Sequence, residues 1–448
     1  MSAWARNERA AAPFAAAAGR DTVSFRPSGP LRGSVRAPGD KSITQRALLI
    51  GAVCDGPVEV VEPAWAGDPL ATAGMVEALG VKVDGRAGRE RRALVHGAGL
   101  RGLRSPGEPL DARNSGTGMR LLTGLLAGQR GLFVIDGDDS LRRRPMDRIV
   151  APLRAMGARV EAREGRYAPL SIEGGPLHAA RHELPVASAQ VKSCLLLAGL
   201  LAKGETVVVE PAPSRDHTER MLAAAGATVT CRGAEVAVRG AERLALERVV
   251  VPGDLSSAAF LTAAALLVPG SHLRIVDVGL NPTRLGFCEA ARRMGGLLEW
   301  SVTACDGGEP RGELEVRAST LHGTTIAAAE VPALIDEVTL LALLACQAEG
   351  ETTVEGVGEL RAKESDRLAA IVEIVAALGG EAESRGDDLV VAGRPLRGGA
   401  LASRGDHRLA LLGAVAGLVC PEGVTVSGFA AAEVSFPDFP AVLTEVIG

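Results

Sequence analysis

Long apolar runs, each opened by a short polar cluster, recur along this chain. They read PGDKSITQRALLIGAV from Pro38, RNSGTGMRLLTGLLAG from Arg113, VASAQVKSCLLLAGLLA from Val186, VPGDLSSAAFLTAAALL from Val251, VPALIDEVTLLALLA from Val331 and SRGDHRLALLGAVAGL from Ser403. Each predicts a helix that is apolar nearly all round and so buried. Between them stands a second phrase, an amphipathic helix that ends in Gly and leads into a β-like run. It reads MVEALGVKVDG, PLRAMGARVEA, MLAAAGATVTC, ARRMGGLLEWS and IVAALGGEAES. Short β-rich runs follow the apolar helices, as in VEVVEP near Val58, LFVIDG near Leu132 and ETVVVEP near Glu205. Both phrases return about every 65 to 85 residues, too long for a solenoid repeat and suited to one β-α-β-α-β-β unit.

Six apolar helix starts imply six such units, dividing three plus three near Val251. The expected fold class is α/β, with two domains, buried helices inside each and sheets wrapped outside. If the buried helices of a domain run parallel, their N-termini emerge together, and free N–H groups with the positive dipole ends make an anion site.

Composition narrows the picture. A chain of 448 residues is long for one core. Aromatic content of 3% and a net charge of −5 argue against nucleic-acid and anionic-membrane binders. The seven cysteines are scattered with no C-x-x-C pair, which fits buried free thiols in a reducing compartment. No zinc motif is present, and the apolar runs are too short to span a bilayer. Residues 1–21, Ala-rich and broken by Pro13, read as a disordered extension, with a transit peptide as the alternative.

The helix starts carry the candidate chemistry. Lys41, Ser42 and Arg46 open the first, Asn114, Gly116, Thr117 and Arg120 the second, Ser188, Gln190 and Lys192 the third. Asp336 and Glu337 interrupt the fifth, and Asp406, His407 and Arg408 open the sixth. Two basic clusters, SLRRRPMDR from Ser140 and RAKESDRL from Arg361, stand between units. Ser, Asp and Gly at these places are also ordinary N-caps. Basic residues there oppose the dipole, a conflict that a bound anion would remove. A carboxylate pair in an apolar helix raises at least one pKa and marks a candidate proton carrier. His407 alone reads as structural, SLRRRPMDR equally as a solvated face, and PGDKS lacks the P-loop spacing.

As a set, PGDKSITQRA, LDARNSGTGMRLL, GDDSLRRRPMDRI, LPVASAQVKS, PSRDHTERML, VPGDLSSAAF, LIDE, LRAKESDRL, GDHRLAL and SFPDFP resemble the 5-enolpyruvylshikimate-3-phosphate synthase family, in order, from about Arg26 to the C-terminus. VASAQVKS and SRDHTER look like its bacterial class II branch. The resemblance implies the two-domain inside-out α/β barrel of enolpyruvyl transferases, with one domain over 22–39 plus 253–448, the other over 40–252, and the site in the interdomain cleft. It implies transfer of the enolpyruvyl group of phosphoenolpyruvate to the 5-hydroxyl of shikimate 3-phosphate, with no cofactor and no metal. Shikimate 3-phosphate falls on Lys41, Ser42, Arg46, Ser188, Gln190, Ser214, Arg215, Asp336 and Lys363. Phosphoenolpyruvate falls on Lys41, Asn114, Gly116, Arg144, Gln190, Arg367 and Arg408. Asp336 matches the acceptor of the hydroxyl proton; Lys41 and Glu364 match groups in proton traffic at C3 and at the leaving phosphate. Gly116 implies sensitivity to glyphosate. A cytoplasmic monomer that closes on its substrates, without nucleic-acid or membrane partners, is expected.

The chain departs from the family pattern at Gln45, where many members have His, at Ala189, where some have Ser, at His217, where some stack a Tyr on the substrate ring, and at Val434, where some carry Lys. Three rival readings fit less well. UDP-N-acetylglucosamine enolpyruvyl transferase has a Lys-Asn pair and a loop Cys that this chain lacks. A non-catalytic anion-binding relative has no need of Lys41, Arg144, Asp336, Glu364, Arg367 and Arg408 together. An RNA-end-processing enzyme is disfavoured by net charge and few aromatics.

Overall fold

The structure, a computed structural model, describes residues 14–16, 21–86 and 90–447. It divides into two compact units: Met1–Pro38, Gly253–Thr303 and Arg311–Gly448 form unit 1, and Gly39–Pro252 with Ala304–Pro310 form unit 2. Unit 2 holds helices α1 (Lys41–Ala52), α2 (Gly67–Ala78), α3 (Gly116–Ala127), α4 (Asp147–Ala155), α5 (Ala189–Gly199) and α6 (His217–Ala224). Unit 1 holds α7 (Leu255–Leu267), α8 (Gly286–Arg293), α9 (Val338–Cys346), α10 (Arg367–Ala377), α11 (His407–Val419) and α12 (Phe439–Val446).

The odd-numbered helices are the predicted apolar runs. Every residue of α9 is buried, as is every residue of α7 but the last. Their leucines form the centre of each core: Leu48, Leu122 and Leu195 in unit 2, Leu261, Leu341 and Leu411 in unit 1. Burying one such side chain stabilises by about 2 kcal/mol. The even-numbered helices cover only one face. In α8, Phe287, Cys288, Ala290 and Ala291 point inward, and Arg292 lies 4.0 Å over the Trp300 ring.

The repeat is visible in the sheets. Among the described residues, six four-stranded sheets share one pattern, an outer parallel pair continued by two antiparallel neighbours. In unit 2, Leu110–Asp111 runs parallel to Gly131–Asp136, which pairs antiparallel with Tyr167–Gly174, which pairs antiparallel with Arg159–Arg163. The helices α3 and α4 lie between these strands in sequence, so the unit is β-α-β-α-β-β. Strand alternation sets the faces: Val58 and Val60 are inside and Glu59 is not.

Each unit closes on itself through strands distant in sequence. In unit 2, Arg248–Val250 runs parallel to Asp55–Val61, with Val249 opposite Val60. In unit 1, Thr22–Phe25 pairs antiparallel with Val424–Ser427, with Phe25 opposite Val424. Phe14–Ala16 adds an outer strand to that sheet, with Phe14 opposite Phe25. The expectation of a disordered extension over 1–21 is therefore corrected at 14–16; residues 1–13 and 17–20 lie outside the described residues.

Three further expectations change. Asp336 and Glu337 do not interrupt a helix: Val331–Ala333 and Ile335–Glu337 are 3-10 turns, and α9 begins only at Val338. Cys231 and Cys305 are exposed, whereas Cys54, Cys194, Cys288, Cys346 and Cys420 are buried. Burial pushes the thiols of Cys54, Cys194, Cys288 and Cys346 up to about 12. Finally, the tip of the hairpin between Leu297–Asp306 and Glu309–Arg317 belongs to unit 2, an attachment the sequence pattern does not suggest.

Candidate functional site

In unit 2 the polar clusters act first as caps. Asp40 accepts from the Ile43 N–H at 2.8 Å, Ser115 from Gly118 at 2.9 Å and Ser188 from Val191 at 3.4 Å. The cap residues are neighbours in space as well. Gln45, fully buried, accepts from Ser115 Oγ at 2.8 Å and Thr72 Oγ1 at 3.1 Å. Gln190 donates to Thr117 Oγ1 at 2.9 Å and accepts from Arg120. The first turns of α1, α3 and α5 thus meet, and the departure at Gln45 is a structural link between two of them.

Around this junction stand the expected anion-binding side chains. Lys41 pairs with Asp68 at 3.0 Å. Ser42, beside it, lends its carbonyl to Arg46 Nη1 at 3.0 Å. Arg46 also donates from Nε to Thr218 Oγ1 at 2.7 Å and from Nη2 to Ser193 Oγ at 3.1 Å. Burial lowers its pKa to about 10, with Glu219 and Asp40 opposing the shift and Arg215 adding to it. Arg144 donates to the Asn114 side-chain oxygen, and Asn114 Nδ2 donates to Asp138 Oδ2 at 2.7 Å. Arg113 before it holds a left-handed backbone (φ 48°), fixed by its N–H to Asp111 Oδ1 at 2.8 Å. Such a turn costs about 1–3 kcal/mol and aims Asn114 toward Arg144.

Of the basic run at 142–144, only Arg144 turns inward; Arg142 is exposed and pairs with Asp136 at 2.6 Å. A Cβ on Gly116 would lie 2.9 Å from Arg120 Nη1 and 3.3 Å from Arg144 Nη1. Lys192 needs no bound anion to offset the dipole of α5, because it lies 2.6 Å from Glu210 and 2.7 Å from Glu219. Glu210 also accepts from the Ser214 hydroxyl. His217 is buried rather than presented to a ligand, with Nδ1 2.8 Å from Glu309 Oε1 at the hairpin tip.

Unit 1 carries the second group. Asp336 lies 3.1 Å from Lys363 Nζ and 3.4 Å from Arg367 Nη1. Arg367, 1% exposed, opens α10 and is further held by Glu364 at 2.6 Å and Asp406 at 2.8 Å. Burial works against its charge, but Glu364 and Asp406 outweigh it and hold the pKa above the ordinary arginine value. Asp406 caps α11 through the Arg408 N–H at 2.9 Å and accepts from Ser365 Oγ at 2.9 Å. Glu337 faces elsewhere, toward the Ser256 hydroxyl and Arg408 at 3.6 Å. Arg408 Nη2 donates to Ser256 Oγ at 2.7 Å. The adjacent carboxylates are thus not a mutually repelling pair: each faces its own cations, and Asp336 alone joins the Lys363–Arg367 group.

Sequence reasoning singled out Arg120 and Asp406 without giving them a role, and did not foresee Asp68, Asp138, Glu210, Glu219 or Thr218. Their signal is only spatial, since each is an ordinary polar residue in its own segment. The arrangement can bind anions at cations held by fixed partners, and it sets the Asp336 carboxylate between Lys363 and Arg367.

Comparison with known proteins identifies the family. Residues 25–443 match the family model described as EPSP synthase (3-phosphoshikimate 1-carboxyvinyltransferase). A 3-phosphoshikimate 1-carboxyvinyltransferase from Thermus thermophilus is 49% identical over 423 residues, covering 94% of this chain and 97% of that protein. The enzyme of the same name from Acidithiobacillus ferrooxidans is 47% identical, covering 93% and 96%. Among solved structures, an EPSP synthase from Acinetobacter baumannii superposes with a TM-score of 0.84 at 37% identity, covering 95% and 98%. The enolpyruvyl transferase NikO from Streptomyces tendae, 18% identical with a TM-score of 0.74 and coverage of 94% and 96%, shares the fold. The chain belongs to the EPSP synthase family.

Proposed function

We propose that the protein transfers the enolpyruvyl group of phosphoenolpyruvate to the 5-hydroxyl of shikimate 3-phosphate, releasing phosphate. The observation that carries this reading is the Asp336–Lys363–Arg367–Glu364 group, in a chain of this family. In the addition step the hydroxyl oxygen bonds to C2 of phosphoenolpyruvate, its proton passes to Asp336, and C3 gains a proton. In the elimination step C3 loses a proton, the C2–O bond to phosphate breaks, and the enol ether remains. Lys41 and Glu364 carry protons at C3 and at the departing phosphate. A base and its partner groups of this kind contribute roughly 10²–10⁴-fold to the rate, and fixed cations stabilise the charge that develops on phosphate.

Phosphoenolpyruvate is held by Lys41, Asn114, Gly116, Arg144, Gln190, Arg367 and Arg408. Shikimate 3-phosphate is held by Lys41, Ser42, Arg46, Ser188, Gln190, Ser214, Arg215, Asp336 and Lys363. Glyphosate, an anion of similar size, competes for the phosphoenolpyruvate groups beside Gly116. The protein works as a cytoplasmic monomer. Phosphate release from phosphoenolpyruvate, measured with shikimate 3-phosphate and in parallel with UDP-N-acetylglucosamine, tests the reading. Release with shikimate 3-phosphate alone is expected. Release with the sugar nucleotide moves the chain to the other enolpyruvyl transferase activity, and release with neither overturns the catalytic reading.

A further inference from the structure

Lys192 lies in the first turn of α5, and only 2% of its side chain is exposed. Its ammonium reaches Glu210 Oε2 at 2.6 Å, Glu219 Oε1 at 2.7 Å and the Ser214 carbonyl at 3.3 Å. Both carboxylates are 4% exposed. The other oxygen of Glu210 accepts from the Ser214 hydroxyl. Glu219 follows Thr218, the acceptor of Arg46 Nε, on α6. One buried cation therefore ties the start of α5 to the segment that carries Ser214 and Arg215. Burial works against the charge on Lys192, but Glu219 and Glu210 outweigh it and hold its pKa above the ordinary lysine value. Burial raises the Glu219 carboxyl, and Lys192 pulls it back only in part.

A buried cation with two carboxylates is weak evidence for stability, because apolar side chains of the same volume fill such a space as well. What it offers beyond filling is a directional hold on a hydroxyl and a carbonyl. We propose that Lys192 and Glu210 are positioning residues for shikimate 3-phosphate: the ammonium fixes Glu210 and the Ser214 carbonyl, so that the Ser214–Arg215 segment is ordered before the substrate arrives. This rests on the activity proposed above. A phosphate oxygen draws the Ser214 proton by rotating one C–O bond; the cluster sets where that oxygen sits. Ordering the segment beforehand removes an entropic cost from binding.

The test compares wild type, Glu210→Gln and Lys192→Met by steady-state kinetics, with thermal unfolding to measure the folded fraction. In Glu210→Gln the KM for shikimate 3-phosphate rises about fivefold, and in Lys192→Met about tenfold or more, the loss of one to two hydrogen bonds. The KM for phosphoenolpyruvate and kcat per folded molecule stay within about twofold, a split that general loosening of the fold does not produce. An unchanged KM for shikimate 3-phosphate in Glu210→Gln overturns the proposal, as does an equal rise in both KM values. If Lys192→Met does not fold, Glu210→Gln, which keeps the side-chain shape, decides alone. Wild-type protein inactive with shikimate 3-phosphate sinks the functional reading itself; an active wild type with an unshifted variant sinks only the positioning role.

Discussion

Arg46 in unit 2 and Arg367 in unit 1 are both buried guanidinium groups, 3% and 1% exposed. They are satisfied in opposite ways. Arg46 donates to Thr218 Oγ1, Ser193 Oγ and the Ser42 carbonyl, all neutral oxygens. Arg367 is surrounded by Glu364, Asp406 and Asp336. Burial penalises the charge of each. In Arg46 it wins and the pKa falls to about 10; in Arg367 Glu364 and Asp406 outweigh it and the pKa rises. Burial alone thus predicts the fall at Arg46 but not the rise at Arg367. An anionic ligand can approach Arg46 as a counter-charge, whereas at Arg367 it competes with carboxylates already in place.

The strongest way to break this comparison is to remove each arginine. Arg367→Met leaves three carboxylates without their shared cation and is expected to cost about 3–5 kcal/mol of stability. Arg46→Met strands only hydroxyls and a carbonyl, for about 1–3 kcal/mol. Urea unfolding midpoints of the two variants check the order, and equal losses would show that the partners do not matter. Asp336→Asn sharpens it next, separating chemistry from charge balance. Phosphate release is expected to fall about 10²–10⁴-fold while the unfolding midpoint stays near wild type.

Gly116→Ala probes the unit 2 side. The added methyl meets the flexible ends of Arg120 and Arg144, so the fold tolerates it while those guanidinium groups shift. The KM for phosphoenolpyruvate should rise severalfold and the glyphosate inhibition constant about tenfold or more; an unchanged inhibition constant would refute the placement of Gly116.

The smallest effect concerns acid. Burial works against the charge on Asp406, but Arg367 and His407 outweigh it and hold its carboxyl below the usual range. Its folded pKa is below the unfolded value of about 3.9, so its stabilisation is complete above that value and is lost as pH falls through the folded pKa. Asp406→Asn should flatten the acid limb of a stability–pH curve. An acid limb as steep as wild type would exclude Asp406 as its source.

Much of the site was legible because its signals are local. Asp40, Ser115, Ser188, Asp254 and Asp406 cap helices at the polar-to-apolar transitions where N-caps belong. The basic residues beside them stood out because they oppose a dipole. What eluded the sequence was the answer to that opposition. Glu210 is 18 residues from Lys192, Asp406 is 39 from Arg367, and Glu309 is 92 from His217. No periodicity links such pairs. The reading of Asp336 and Glu337 as one buried pair failed for the same reason: sequence adjacency placed them together, and the 3-10 turn at Ile335–Glu337 sent them to different cations.

By itself the sequence determined the six-fold repeat, the buried and covering helices, the caps and the residue types at each helix start, because hydrophobic periodicity and capping act within a few residues. It also determined the family, through motifs kept in order. Only the tertiary structure decided that Arg144 turns inward while Arg142 does not, that Lys192 is answered by two glutamates, and that Asp336, Lys363, Glu364, Arg367 and Asp406 form one group. Charges and hydrogen bonds act over a few ångströms of space, and packing alone sets which side chains come that close.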